Sequence, residues 1–306
     1  MATLATDLAR RAFGEELIDA GLLMRTGVPG VFGRSAAFED TVERVDRLVG
    51  SIAARDGAEV LRFPPLLNRA HFERSGYLES FPHLAGAIHS FAGGERAHRD
   101  LLDAVARGGD WSAACPSTDV VLTPAACYPV YPALTGTLPK AGRLVDVMSY
   151  CFRHEPSDDL ARMQMFRMHE HVRAGDPDKV AAWRDLWLTR AQEFAATLQL
   201  DARCEVASDQ FFGRTGQLLA DNQRQSRLKL EILAPIARED ALTAIISLND
   251  HRDHFGQLFG ITTADGAAAH TSCIGFGLER IALALYREHG LDRSEWPSQV
   301  RGALDL

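Results

Sequence analysis

A chain of 306 residues with 46% hydrophobic content can bury a large core, as one big domain or two ordinary ones. Its net charge of -8, from 33 basic and 41 acidic residues without a Lys/Arg block, offers little of the sequence-independent attraction by which proteins hold nucleic acid. No apolar run reaches the roughly eighteen residues of a membrane span, and the opening "MATLATDLARRAFGEELIDAGLL" mixes both charge signs where a signal peptide needs a basic start and an apolar stretch, so a soluble cytoplasmic chain with no membrane contact is expected.

In chain order, Phe38, Val42, Val45, Leu48, Val49 and Ile52 recur at helical spacing, with Gly57 as the stop. "EVLRFPPLLN" (59–68) is extended and broken by Pro64-Pro65, and 95–107 is helical again. "DVVLTPAACYPVYPAL" and "RLVDVMSYCFRHE" are bounded by Pro and Gly as strands are. Asp176-Pro177 makes an N-cap and first-turn pair for a long helix whose face is Val180, Trp183, Trp187, Ala191, Phe194 and Leu198. Strands follow in "RLKLEILAPI", "ALTAIISLN" and "HTSCIGFG", and a last helix runs from about Leu278 to His289. The five cysteines, 115, 127, 151, 204 and 273, are odd in number and lack close CxxC pairing, which argues against a disulfide framework.

Side chains on a strand alternate between faces. Arg153 and Glu155 therefore share a face, and across the break at "PSDDLA" a second strand puts Arg162, Gln164, Phe166, Met168 and Glu170 on one side, with Met163, Met165, Arg167, His169 and His171 on the other. A hairpin of the two gathers guanidiniums, carboxylates and a ring on one face. That set suits a nucleotide, with Arg for phosphate and a ring for the base, although alternation alone suits a solvated, salt-bridged strand pair as well. In "TSCIGFGLER", Cys273, Gly275 and Gly277 share parity, and the segment runs straight into a helix carrying Arg280. Glycines on one face clear room for a flat ligand, and an arginine in a first helical turn offers charge to phosphate.

These residues carry a family resemblance. "FRHE", a loop and "RMQMFRMHE" resemble motif 2 of the class II aminoacyl-tRNA synthetases in its seryl form, "GFGLER" resembles motif 3, and "RFPPLLNRAHFE" resembles motif 1, which in that family builds a homodimer interface. The resemblance covers about residues 37–290. It implies an α+β fold, an antiparallel sheet flanked by helices, over a single catalytic domain 1–306 with a helical extension at 1–58. It implies ATP as substrate, with Arg153 on the α-phosphate and the attacking carboxylate, Glu155 on the adenine amine, Phe166 and Arg280 stacking on adenine, Arg280 also on the γ-phosphate, and Arg162 beside the nucleotide.

Cys127 stands where ordinary seryl-tRNA synthetases carry the glutamate of a Thr-x-Glu loop. Taken alone, Cys127 and Cys273 read as small buried hydrophobes, since free cysteine is among the most buried residue types. Similarity to the atypical, zinc-dependent seryl-tRNA synthetases reverses this, implying that Cys127, Glu170 and Cys273 hold Zn²⁺ with a fourth tetrahedral position open for a substrate amine. His169 and His171 fall on the opposite face and are read as packing or surface residues. The family's Mg²⁺-binding acid has only Asp240, Asp250 and Glu231 as candidates here. Ser247 and Asn249 share a parity and line the site, or are ordinary strand-end polar groups. The stretch 209–231, with Arg214, Arg224, Arg227 and Lys229, is suited to an acidic partner or is a solvated helix.

Only about 58 residues precede the motif 1 region, too few for the large tRNA-binding domain of seryl-tRNA synthetases. The chain therefore most resembles the amino acid:[carrier protein] ligases, truncated relatives that activate a small amino acid, glycine or alanine, as the adenylate and load it onto the phosphopantetheine thiol of an acyl carrier protein. Two rivals stay open: a seryl-type synthetase acting on tRNA, which needs a basic surface, and a noncatalytic nucleotide- or amino-acid-binding paralogue, which usually has lost one of the arginines or metal ligands present here.

Overall fold

The computed structural model describes residues 12–209, 211–238 and 241–306. Helix α1 (Ala36–Ala54) starts where the Ser35 side chain accepts the Phe38 N–H at 3.3 Å, a cap that contributes about 1 kcal/mol. Its buried residues, Phe38, Thr41, Val42, Val45, Val49 and Ala53, recur every three or four positions, as the sequence predicts. Helix α2 (Glu95–Ala106) buries no residue, whereas α3 (Pro177–Thr197) is capped by Asp176 and buries Val180, Trp183, Trp187, Ala191 and Phe194. Helices α4 (Gly213–Gln225) and α5 (Leu278–His289) complete the longer set.

A seven-stranded sheet forms the centre. Its strands are β1 (Glu59–Arg62), β2 (Arg143–Phe152), β3 (Met165–Gly175), β4 (Arg203–Val206), β5 (Lys229–Arg238), β6 (Ala241–Arg252) and β7 (His270–Gly277). They lie in the order β4-β5-β6-β7-β3-β2-β1, antiparallel throughout except for the parallel edge strand β1. The back of the sheet packs on α1, α3 and α5 through residues such as Phe276, Ile246, Trp187 and Leu283. At one end of the front face a second apolar cluster, including Val145, Val147, Val172 and Phe255, surrounds Cys127 and Cys273. Among the described residues no helix is long and apolar enough to cross a membrane.

Three expectations need correction, and one pair of alternatives is decided. The extension before 58 is not purely helical: after a helix at 12–19, strands Leu23–Arg25 and Phe32–Arg34 pair as an antiparallel hairpin before α1. "DVVLTPAACYPVYPAL" is only half a strand. Ser117–Leu122 belongs to a separate three-stranded sheet, and Val130–Ala133 is a short helix, because Pro124, Pro129 and Pro132 have no N–H to give a ladder. The strand carrying Phe166 starts at Met165 rather than Arg162. Residues Leu160–Arg162 form a 3-10 turn in which Asp159 accepts the Ala161 N–H, and Gln164 leaves the row to donate from Nε2 to Pro29 O at 2.8 Å. Gly30, at φ 74°, makes that docking possible, since a Cβ there would sit 3.1 Å from Gln164 Cγ. Finally, of the alternatives weighed for His169 and His171, burial holds and exposure does not: they are 1% and 0% exposed, on the back of β3.

Candidate active site

The register of the sheet turns sequence parity into rows. Glu231, Ser247, Gly275 and Glu170 are direct neighbours across β5, β6, β7 and β3, and Lys229, Asn249 and Cys273 form the adjacent row. These rows floor a cavity of about 450 Å³, within the range of small-molecule sites. Arg153, Glu155, Arg162, Phe166, Arg280, Cys127 and the row residues all line it, so the sequence-predicted set converges on one place. A more open depression of about 580 Å³ beside Tyr286 and Arg293 contains none of them; chemistry, not size, singles out the first cavity.

At one end the groups suit a polyanion and a flat base. The Arg153 guanidinium carbon lies 5.4 Å from the centre of the Phe166 ring, and its Nε donates to Pro124 O at 3.2 Å. Arg280 donates from Nε to Ala161 O at 2.7 Å and from Nη1 to Ala244 O at 3.0 Å, which fixes its plane. Burial, and then repulsion from Arg153, lowers Arg280 to about 10. Two guanidiniums that repel each other in a dry cavity gain most from an anion placed between them. Glu155 accepts from Arg162 at 3.4 Å. Gly275 keeps the floor low: a Cβ there would lie 3.0 Å from Met168 Cε and 3.4 Å from Glu170 Cγ.

At the other end Cys127, Glu170 and Cys273, all buried, bring one sulfur, one carboxylate oxygen and one sulfur within 4.8 Å of one another. Glu170 Oε1 accepts the Ala126 N–H at 2.7 Å and the Cys127 N–H at 3.3 Å, which leaves its other oxygen for the cluster. Burial first, then Cys273, pushes Glu170 up to about 7, against the pull of those amides. Cys127 is raised, chiefly as hydrogen-bond partner of Cys273, and Cys273 is lowered by the same bond and by His251. Asn249 Nδ2 donates to Cys273 Sγ at 3.6 Å, and His251 Nε2 lies 3.7 Å from it. Two thiols and a carboxylate packed this closely carry a charge problem that a divalent cation resolves, and the donor set fits zinc with a position to spare.

Of the three acids considered for Mg²⁺, Asp240 lies outside the described residues. Glu231 stands in the front row, 3.2 Å from Lys229 Nζ, whereas Asp250 has a carboxylate oxygen 3.9 Å from Arg184 of α3. Lys229 is not a surface residue of the basic stretch. It is largely buried in the cavity wall, paired with Asp209 and Glu231.

Comparison with known proteins bears directly on this arrangement. The chain is 48% identical over 282 residues to "Amino acid--[acyl-carrier-protein] ligase 1" of Bradyrhizobium diazoefficiens, covering 92% of this chain and 86% of that protein, and 47% identical over 294 residues to ligase 2 of the same organism, covering 95% and 87%. The chain belongs to the amino acid–[acyl-carrier-protein] ligase family. No family model matches it. The type-2 serine–tRNA ligase of Methanopyrus kandleri is 28% identical over 199 residues, 60% of this ligase but only 38% of that enzyme. In fold the ligase matches the crystal structure of M. kandleri seryl-tRNA synthetase in complex with A. aeolicus tRNA at TM-score 0.83 and 21% identity, covering 96% of this chain and 60% of that one. The Pyrococcus horikoshii seryl-tRNA synthetase complexed with ATP matches at TM-score 0.71 and 15% identity, covering 96% and 62%. The class II synthetase fold read from the motifs is therefore the fold of this ligase.

Sequence reading missed several residues of the ligase cavity. His251 shares parity with Asn249 two positions along β6, and Lys229 shares it with Glu231, so extending each row by one step finds both. Phe255, stacked on Tyr131 at 3.8 Å, and Asp209, held by Gln223 at 2.9 Å, have no such periodic signal, since they come from a short helix and a loop.

Proposed function

We propose that this ligase activates glycine or alanine with ATP as the aminoacyl-adenylate and passes the aminoacyl group to the phosphopantetheine thiol of an acyl carrier protein. The observation that supports this most is the shared cavity: the Cys127, Glu170 and Cys273 cluster lies on the same sheet face as Arg153, Phe166 and Arg280. Cys127, Glu170 and Cys273 would hold Zn²⁺, which when bound supplies a Lewis-acid position for the neutral amine of the substrate.

Phe166 and the Arg280 guanidinium then take the faces of the adenine, and Glu155 accepts from its exocyclic amine. Arg153, beside Phe166, is suited to the α-phosphate and the incoming carboxylate. As the carboxylate oxygen bonds to the α-phosphorus, pyrophosphate leaves with its charge, and fixed arginines at such a centre are worth roughly 10³ to 10⁵ in rate. Glu231 is the front-row acid for Mg²⁺, with Ser247 beside it, and Asn249 holds Cys273 on the amino-acid side. The carrier thiol next attacks the adenylate carbonyl, the thioester forms and AMP departs, so no enzyme nucleophile is required.

Phe255, held by stacking on Tyr131, lines the cavity with Cys127 and Cys273, which favours a small side chain. Phe212 and Leu218, 57% and 72% exposed, stand on the 209–231 segment with Arg224, and that segment also supplies the cavity wall through Asp209 and Gln223. This face is suited to an acidic carrier protein. Val60 of the edge strand β1 and Leu66 of the motif 1 segment, 62% and 41% exposed, support a homodimer through that edge. Pyrophosphate exchange with each amino acid, with zinc content measured on the same sample and with carrier protein and tRNA offered as acceptors, tests the whole reading. Exchange with one small amino acid and loading of carrier but not tRNA is the expected result; charging of tRNA alone would refute it.

A further inference from the structure

Strand β7 ends opposite Met168, where Gly277 makes the last pair of its ladder with β3. The next residue along the edge, Arg167, would be left with an unpaired N–H on that side. Glu279, in the first turn of α5, takes it: Glu279 Oε2 accepts the Arg167 N–H at 2.7 Å, and Glu279 Oε1 accepts from Arg167 Nε at 2.8 Å. One carboxylate thus ends the ladder and grips the side chain of the same residue. Both partners are buried. Glu39 of α1 holds the far side of the guanidinium, with Nη1 at 2.7 Å and Nη2 at 3.0 Å, and Arg34 adds a second cation 3.3 Å from Glu279.

The neighbours of this pair in sequence are Phe166 and Arg280. On a strand, adjacent side chains point to opposite faces, so with Arg167 turned to the back, Phe166 is turned into the cavity. In the helix, Arg280 follows Glu279 by one step and lines the same cavity. The strand that carries one group and the helix that carries the other are tied together, behind the sheet, by a two-point charged contact of fixed geometry. A buried ion pair of this kind contributes little net stability compared with apolar packing, because desolvation offsets much of the attraction. What it fixes well is distance and angle.

We propose that the Arg167–Glu279 pair is the spacer that sets the gap between Phe166 and Arg280, making Arg167 and Glu279 positioning residues for the nucleotide. The inference rests on the reading of this cavity as an ATP site. It gives a reason for the charged cluster of Arg34, Glu39, Arg167 and Glu279 between α1, α5 and the sheet. It also gives the outer carboxylate, Glu39, a graded part, since Glu39 braces Arg167 without touching the end of the ladder.

The test uses the full chain as Glu279→Gln, Arg167→Lys and Glu39→Gln, with Asp56→Asn as control, a variant that removes only the partner of Arg190 at the outer surface. ATP binding by calorimetry, KM and kcat for ATP and for the amino acid in pyrophosphate exchange, and the thermal midpoint are measured for each. Misplacement of a binding group by a fraction of an ångström is costly, so Glu279→Gln and Arg167→Lys are expected to raise the ATP KM roughly tenfold or more, with the amino-acid KM nearly constant. Glu39→Gln shifts ATP in the same direction by less, and Asp56→Asn leaves both constants alone. Variants that lose thermal stability yet bind ATP like the parent would overturn the proposal, since the pair would then hold the fold and nothing more. Should Glu279→Gln fail to fold, unchanged ATP constants in both Arg167→Lys and Glu39→Gln overturn it equally. A parent protein that binds no ATP removes the nucleotide reading and this inference with it; a parent that binds ATP no better than its variants removes the inference alone.

Discussion

Glu170 accepts the backbone N–H of Cys127 at 3.3 Å, so the strand that supplies one member of the buried cluster also fixes the loop that supplies another. The Ala126 N–H, at 2.7 Å, shares the same oxygen. Glu170 thus braces the loop and, in the proposed site, would also ligate the metal.

The two roles separate by substitution. Glu170→Gln keeps an acceptor for the loop amides but loses the anionic ligand, whereas Cys127→Ala and Cys273→Ala each remove a sulfur. All three variants are expected to lose bound zinc and more than about a hundredfold of exchange activity, with Glu170→Gln closest to the parent in thermal stability. Metal analysis beside exchange assays checks this, and a zinc-free variant of full activity would refute the ligand set.

Acid-base linkage gives a second prediction for the metal-free protein. Glu170 is raised from an ordinary 4.5 to about 7, burial being the largest cause. For an acid raised on folding, the native state holds a proton that the unfolded chain has released, so stability falls as pH rises through the window from 4.5 to about 7 and is flat above it. The span is at most about 3 kcal/mol, and Glu170→Gln abolishes this component. Denaturant midpoints of metal-free parent and variant at pH 5 and pH 8 measure it; equal slopes in the two proteins would contradict it. Metal must displace that proton and the proton of the raised Cys127 thiol, so zinc affinity is expected to climb with pH through this window and beyond it.

Arg153 and Arg280 share one end of the cavity, and in the proposed reaction removal of either relieves the repulsion between them while losing charge where pyrophosphate would depart. Arg153→Ala and Arg280→Ala are expected to lower kcat/KM for exchange by roughly 10³ or more, and Arg153→Lys to recover only part, because a point charge does not replace a planar fork. Single-turnover adenylate formation gives the direct readout.

Gly275 borders both ends. In Gly275→Ala the new methyl must push Met168, 3.0 Å away, or stand up into the cavity beside Glu170. Met side chains give way easily, so the protein remains folded and the cost falls on the ligand. Discrimination against alanine relative to glycine is expected to rise about tenfold or more, as is usual for one methyl group in a filled pocket. The ratio of kcat/KM for the two amino acids tests it.

Much of this site was legible before any coordinates. Period-two alternation placed Phe166, Met168 and Glu170 on one face and sent Arg167, His169 and His171 to the other, and the register shows that division throughout β3. The cap at Asp176 and the buried stripes of α1 and α3 were likewise readable, because a helix repeats its own geometry every few residues. Reading failed where that repeat stops. Alternation extends the strand through Arg162 and Gln164, yet it begins only at Met165, since the hydrogen bonds of Gln164 to Pro29 and Gly30 come from a turn far away in sequence.

Which side chains share a strand face, and which residue types are on offer to nucleotide and metal, can be read along the chain because both follow from bond geometry and local periodicity. That the Cys127 loop folds against Glu170, that Lys229 is held inside by Asp209, and that Glu279 takes over the ladder from β7 behind Phe166 and Arg280 come from long-range folding. Those meetings depend on strand order and loop closure between distant segments, for which no spacing along the chain is a record.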